Sequence, residues 1–201
     1  MAAHHRAVER RGVRFSAPGP VRSTAADGAK RYWLTAASHP ADSAGVNIFL
    51  IGPPRDPTPW PKSPPTVSEA AAVGALDHVV IRTPDAERAA ALYGTRLGLD
   101  LRLDRSNPQF GSRLMFFRAS DALVEVGAPL DRSVTPGPDR LSGLAWRVAD
   151  PHAAQARLAA AGVDVSPVRD GRKPGTEVFT VRAGAPGAPF LMIKPSAPGD
   201  T

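Results

Sequence analysis

The sequence predicts an α+β protein built by repeating one small unit, a strand followed by a helix and three further strands. Two observations predict this. A pattern of helix, glycine, short strand and two further strands recurs three times along the 201 residues. A further apolar strand precedes the helix in the second and third copies. The chain should therefore contain two complete βαβββ modules and one shorter copy.

The last copy carries the clearest signals. Asp150 is expected to cap a helix, with Pro151 at its first position, where the missing N–H is not needed. Gly162 follows the helix, where a left-handed residue ends it. A strand at 141–146 precedes this helix, and strands are expected at 163–165, 177–181 and 190–193.

The middle copy repeats the same order. Its helix is expected to start at Thr83-Pro84 and to end at Gly98. A strand at 76–81 precedes the helix, and strands at 99–101, 114–117 and 122–126 follow it.

The first copy begins inside its helix, at residues 2–11, and has no leading strand. Strands are expected at 12–16, 32–35 and 47–51. An incomplete module leaves a sheet edge unpaired. We hypothesise that the chain is a truncated or late-started version of a longer protein, which an upstream sequence without a strand would contradict.

Proline-rich stretches divide the chain. The expected units are a partial module at 1–52, an extended linker at 53–74, a domain at 75–195 and a tail at 196–201. Within the domain the two complete modules occupy 75–127 and 140–195, joined by a segment rich in proline and glycine.

Composition limits the classes of function. The formal net charge is +6, but the arginines are scattered and stand beside acids, so no nucleic-acid partner is expected. No apolar run reaches the roughly 18 residues of a membrane span, and the start has no signal-peptide core. We expect a cytoplasmic protein without a membrane partner. With no cysteine, any metal would need His, Asp, Glu or water.

Three segments carry a resemblance to a known family. They are Leu76-Asp-His-Val-Val-Ile-Arg-Thr-Pro-Asp85, Ala91-Leu-Tyr93 leading to Leu97-Gly98-Leu99, and Ala122-Leu-Val-Glu-Val126. In order and spacing they resemble the opening strand, the helix and the closing strand of a module of the vicinal oxygen chelate superfamily. This group includes glyoxalases, bleomycin-resistance proteins and extradiol dioxygenases.

The resemblance implies a half-open mixed β-barrel with outer helices and a ligand in its concavity. Metal-dependent relatives supply one ligand from the first strand of each module and one, usually Glu, from the last. His78 and Glu125 fall on these positions in the second copy. In the third copy Gly143 replaces the histidine, and Met192 or a neighbour replaces the glutamate. The implied metal set is therefore incomplete.

Each candidate site residue keeps two interpretations. His78 is either a catalytic or metal-binding group or a hydrogen-bonded core histidine. Glu125 lies among apolar neighbours and needs a partner; it is the second candidate catalytic and metal-binding residue. Arg82 and Arg147 either bind an anionic substrate at the mouth of the concavity or face solvent, and Phe116 either lines the pocket or packs in the core.

The expected ligand is a small molecule, and three functions are carried forward. The first is an enzyme of lyase, isomerase or dioxygenase type, with one divalent ion (Zn, Fe, Mn or Ni) or none. The second is a metal-free binding protein similar to bleomycin-resistance proteins. The third is a degenerate scaffold without a ligand. A homodimer is also expected, because modules of this family commonly pair between chains.

Overall fold

The structure, a computed structural model, describes residues 1–25, 27–53, 66–131, 133–185 and 188–196. Residues 54–65 of the expected linker (53–74) and residues 197–201 of the expected tail (196–201) lie outside the described residues. The helices are α1 (Ala2–Arg10), α2 (Ala86–Ala90, continued by a π-helical turn at Ala91–Arg96) and α3 (Pro151–Ala160). The strands are β1 (Gly19–Thr24), β2 (Lys30–Ala37), β3 (Phe49–Ile51), β4 (Val73–Arg82), β5 (Asp100–Asn107), β6 (Ser112–Ala119), β7 (Ala122–Pro129), β8 (Arg140–Val148), β9 (Arg169–Asp170), β10 (Glu177–Ala185) and β11 (Ala188–Lys194).

Two βαβββ modules form one mixed sheet of eight strands, in the order β5-β6-β7-β4-β8-β11-β10-β9. Each leading strand pairs in parallel with the last strand of its own module, β4 with β7 and β8 with β11. The two leading strands pair antiparallel and join the modules. The sheet does not close on itself, so the predicted α+β architecture of tandem modules around a half-open sheet is confirmed.

In the last module the helix begins and ends where the sequence predicts. The Asp150 side chain accepts hydrogen bonds from the backbone N–H groups of His152 and Ala153, and Pro151 opens α3. Gly162 and Gly98 both have φ of +77°, which glycine adopts without the Cβ penalty. In the first complete module the cap is Asp85 rather than Thr83, so α2 begins later than predicted.

The segments that leave α1 and α3 are not the strands that we predicted. Residues 12–16 and 163–165 each make a single β-bridge, Phe15 with Ser38 and Val165 with Val181. The hydroxyl groups of Ser16 and Ser166 accept hydrogen bonds from the neighbouring strands. Pro18 and Pro167 follow these serines and have no N–H to extend the pairing. The next strands therefore start beyond the prolines, at β1 and β9. The two copies deviate in the same way, which supports their being repeats.

The outer side of the sheet carries two cores. One joins α1 and β2 to the first complete module and includes Val8, Phe15, Leu92, Met115 and Phe117, all buried. The other packs α3 against β10 and β11, around the fully buried Phe179. The opposite side of the eight-stranded sheet is left for a site.

A buried carboxylate ties the segment between the modules to both neighbouring units. Asp139 is fully buried and accepts a hydrogen bond of 2.6 Å from Nη2 of Arg88 on α2. Its backbone N–H donates to the carbonyl of Ala44, in the N-terminal unit. Without Arg88 the buried Asp139 carboxylate would lose the partner of its charge, so this contact holds residue 139 and with it the start of β8.

In the part of the chain that the structure describes, no helix is long and apolar enough to cross a membrane.

Candidate functional site

A β-bulge in β4 brings two neighbouring side chains to the same site. Leu76 pairs with Trp146 and His78 with Ala145, so Asp77 is an extra residue without a partner on β8. Successive side chains of a regular strand point to opposite faces, and a bulge changes that alternation locally. Asp77 therefore reaches the ring of the residue that follows it.

Asp77, His78 and Glu125 form a continuous polar line on the inner face of the sheet. Nδ1 of His78 lies 2.8 Å from Oδ1 of Asp77, and Nε2 of the same ring lies 3.4 Å from Oε2 of Glu125. All three side chains are mostly buried, with 10%, 16% and 17% of the side chain exposed for His78, Asp77 and Glu125. The group is largely sheltered from bulk water, and each side chain keeps a small exposed surface.

The imidazole lies between two carboxylates, and this determines what the pair can do. If Nδ1–H donates to Asp77, a neutral ring presents a lone pair at Nε2 to the Glu125 carboxylate. That contact becomes attractive only when a positive charge lies between the two atoms, either a proton or a cation. The arrangement is therefore built to hold and to move one such charge at Glu125.

The surroundings of this line are one aromatic ring and two small residues. Phe116 pairs with Glu125 across β6 and β7, and its ring stands edge-on to His78 with 6.4 Å between centroids. Gly143 and Ala145 lie opposite Val80 and His78 on β8. Both are buried, and a Cβ at Gly143 would lie 3.2 Å from the carbonyl oxygen of Pro189, so β8 and β11 approach each other closely here.

The strand register identifies the residue that replaces Glu125 in the last module. Glu125 lies opposite Val80, two residues beyond His78, and the corresponding pair in the last module is Leu191 opposite Ala145. Met192 instead faces the core under α3. Leu191, not Met192, therefore occupies the position that the family resemblance assigns to a second carboxylate.

The donor set does not fit a divalent ion held by this protein. The 3.4 Å between His78 and Glu125 suits two ligands of one ion, since bonds of about 2.1 Å in a tetrahedron place ligand atoms roughly that far apart. Three or four protein ligands are the rule, however, and Gly143 and Leu191 offer no donor. No cluster of three or more His, Asp or Glu side chains with metal-binding geometry occurs among the described residues.

The two arginines of the predicted anion site do not converge. Arg147 donates from Nε to Oδ2 of Asp77 at 2.8 Å and from Nη2 to the carbonyl of Asp121 at 2.8 Å. Arg82 lies at the other end of the shared strand pair, directly opposite Arg140. About 23 Å of strand separate positions 140 and 147, so Arg147 supports the polar line while Arg82 lies near the opposite end of the β4–β8 pair.

The sequence analysis did not predict Asp77 or Arg140 as site residues. Alternation places Asp77 on the face opposite His78, and nothing in the local sequence marks the bulge. The position of Arg140 opposite Arg82 depends on the register between two strands that are distant in sequence.

The contacts of Asp77 predict a pH-dependent contribution to stability. The hydrogen bond from His78, and to a smaller extent that from Arg147, lowers the pKa of the Asp77 carboxyl below its ordinary 3.8. A carboxyl with a lowered folded-state pKa stabilises the fold above its unfolded pKa, and this stabilisation is lost as the pH falls through the folded value. Asp77→Asn should therefore lower the free energy of unfolding by roughly 1–3 kcal/mol at pH 7, with a smaller difference below pH 3.8.

Urea unfolding of both proteins across this pH range measures the effect. Asp121→Asn is the matched control, because only the backbone carbonyl of Asp121 contacts Arg147. A difference between wild type and Asp77→Asn that grows on acidification would contradict the assignment.

Comparison with known proteins identifies the family. A family model described as the Glyoxalase/Bleomycin resistance protein/Dioxygenase superfamily matches residues 77–180. The chain belongs to this superfamily. The match begins at Asp77 and covers most of both complete modules, so the resemblance noted in the sequence is confirmed.

Several known proteins are similar to this chain. An ethylmalonyl-CoA/methylmalonyl-CoA epimerase from Cereibacter sphaeroides is 28% identical over 130 residues, which cover 61% of this chain and 90% of that protein. The crystal structure of methylmalonyl-CoA epimerase from Mycobacterium tuberculosis superposes with a TM-score of 0.53 at 26% identity, covering 66% of this chain and 94% of that one. A hypothetical protein from Bacillus halodurans shares the fold, with a TM-score of 0.53 at 18% identity over 63% of this chain and 98% of its own.

Proposed function

We propose that this protein is an isomerase-type member of the superfamily that transfers a proton at a carbon next to a carbonyl group of a small acyl substrate. The observation that carries the proposal is the polar line on the inner face of the sheet. Glu125 lies 3.4 Å from Nε2 of His78, and Nδ1 of the same ring lies 2.8 Å from Asp77. The names of the two epimerases support this reaction class over ring opening.

Glu125 is the proposed base. Its carboxylate removes the proton from the substrate carbon, and the electrons of the C–H bond move to the neighbouring carbonyl to give an enolate. The same carboxyl group then returns a proton to that carbon. The charge of the site is therefore unchanged at the end of the cycle.

His78 contacts the proposed base directly, and Asp77 acts on it through His78. A neutral imidazole accepts at Nε2, 3.4 Å from the Glu125 carboxyl group, so it can accept a hydrogen bond from Glu125 once that group holds the substrate proton and keep the proton there until it returns to the carbon. Asp77 accepts from Nδ1 at 2.8 Å and so fixes the orientation of the ring. Asp77 is a positioning residue, since it reaches the substrate only through His78.

The second module provides no acid–base group at the family positions. Gly143, Ala145 and Leu191 correspond in register to His78, Val80 and Glu125, and none of the three carries a titratable side chain. Proton removal and return therefore take place on one side of the substrate carbon. This chain should catalyse exchange of the acidic proton with solvent faster than it inverts the carbon.

The test is solvent exchange in D₂O with methylmalonyl-CoA and ethylmalonyl-CoA, followed by proton NMR for deuterium uptake and by circular dichroism for inversion. We expect enzyme-dependent deuterium uptake that outpaces inversion. Binding of either ester without any uptake would contradict the isomerase proposal and would be the behaviour of a metal-free binding protein.

The donor set also predicts the response to chelators. Because His78 and Glu125 are two donors where an ion requires three or four, exchange activity should survive EDTA treatment and dialysis. Added Zn²⁺, Mn²⁺, Fe²⁺ or Ni²⁺ should not raise it. Loss of activity with EDTA that one of these ions restores would contradict a proton-based site.

A further inference from the structure

Arg82 and Arg140 place two like charges directly opposite each other. They are the cross-strand partners at the end of the β4–β8 ladder, and both are exposed. Side chains directly opposite each other have Cβ atoms about 5 Å apart, and like charges in this position are destabilising. Neither guanidinium has a hydrogen-bond or ion-pair partner among the residues that the structure describes. The Asp139 carboxylate next to Arg140 is turned away and engaged by Arg88.

A shallow, open cavity lies at the two arginines. A cavity of about 420 Å³ is lined by Arg82, Arg140 and the apolar side chains of Pro84, Pro129, Val134 and Pro136. Gly127 forms the floor beneath Arg82, since a Cβ there would lie 2.6 Å from Nη1 of that arginine. The missing side chain at 127 thus allows the guanidinium to lie flat on the sheet.

This cavity continues the inner face that carries Glu125. Gly127 lies opposite Arg82 as Glu125 lies opposite Val80, so the two positions are on one face of β7. Two residues along a strand span about 7 Å. An extended molecule with its reacting carbon at Glu125 therefore reaches the arginine pair with a group further along the molecule.

We infer that Arg82 and Arg140 bind an anionic group, phosphoryl or carboxylate, of the substrate whose carbon is held at Glu125. Both arginines line this cavity beside apolar walls. Planar guanidinium groups match the oxygens of such an anionic group, and a bound anion offsets the repulsion between the two positive charges. The inference rests on the proposed function for the position of the carbon. The anion site itself depends only on the arginine pair and its cavity.

Direct binding measurements test the site without requiring turnover. We propose isothermal titration of the purified chain with three probes: CoA, inorganic pyrophosphate and methylmalonate. Arg82→Met and Arg140→Met should each weaken binding of the bound probe at least about tenfold, and the double variant should abolish it. The control is Arg6→Met, which removes an exposed arginine of α1 and should leave binding unchanged.

The probes distinguish the sources of the anion. Binding of CoA and pyrophosphate that depends on both arginines assigns a phosphoryl group, whereas binding of methylmalonate alone assigns a carboxylate. Equal affinities in wild type and in both variants, or no binding of any probe, would overturn the inference. Glu125→Gln separates the two proposals, because it should retain anion binding whether or not the wild type shows exchange activity.

Discussion

Glu125→Gln should reduce solvent exchange at the substrate carbon by roughly 100- to 10,000-fold, the range that one general acid–base group contributes. Glutamine preserves the shape of the side chain but cannot accept the proton. Because the amide can still donate a hydrogen bond to Nε2 of His78, the fold around the 3.4 Å contact should survive. The effect should therefore appear in kcat, with little change in the affinity for CoA.

The control for this experiment is Glu69→Gln, which makes the same isosteric change at an exposed glutamate in the turn before β4. Both variants are compared with wild type by deuterium uptake in D₂O and by thermal unfolding. A Glu125→Gln variant that exchanges the proton at the wild-type rate would remove Glu125 from the mechanism.

Phe117→Ala should lower the free energy of unfolding by roughly 3 to 5 kcal/mol, the usual cost of removing a phenylalanine from a core. The Phe117 side chain is 1% exposed. It packs against the ring of Tyr93 with 5.9 Å between centroids and approaches Gly94 so closely that a Cβ there would lie 3.3 Å from it. The same core includes Val8 of α1, so the N-terminal unit should lose part of its support.

Chemical denaturation followed by tryptophan fluorescence measures this change. Phe110→Ala is the matched control, because Phe110 is 56% exposed and contacts only the guanidinium of Arg172 at 4.9 Å among its described ring contacts. The control should cost less than about 1 kcal/mol. Equal losses for the two variants would contradict the assignment of Phe117 to the core that joins the units.

The modular fold could be predicted from the sequence because the residues that begin and end its helices act locally. Asp150, Pro151 and Gly162 mark the ends of one helix through interactions within a few residues. The failures at 12–16 and 163–165 have a common cause, since apolar side chains are compatible with a strand, whereas the neighbouring serine and proline limit pairing to one bridge.

The candidate site could be predicted only in part from the sequence. The family resemblance implies that His78 and Glu125 share one site, and the structure brings their side chains to 3.4 Å; their catalytic roles remain predictions. The bulge at Asp77 depends on the pairing of β4 with β8. The choice between Leu191 and Met192 requires the register of β11, and a shift of one residue would have exchanged the two faces.

The most direct measurement is a crystal structure of the protein with an unreactive malonyl-thioester analogue of CoA. The account predicts that the carbon between the two carbonyl groups lies within about 3.5 Å of the Glu125 carboxylate, with an anionic group between Arg82 and Arg140. An analogue bound outside the concavity, or His78 and Glu125 turned to opposite sides of the sheet, would contradict it.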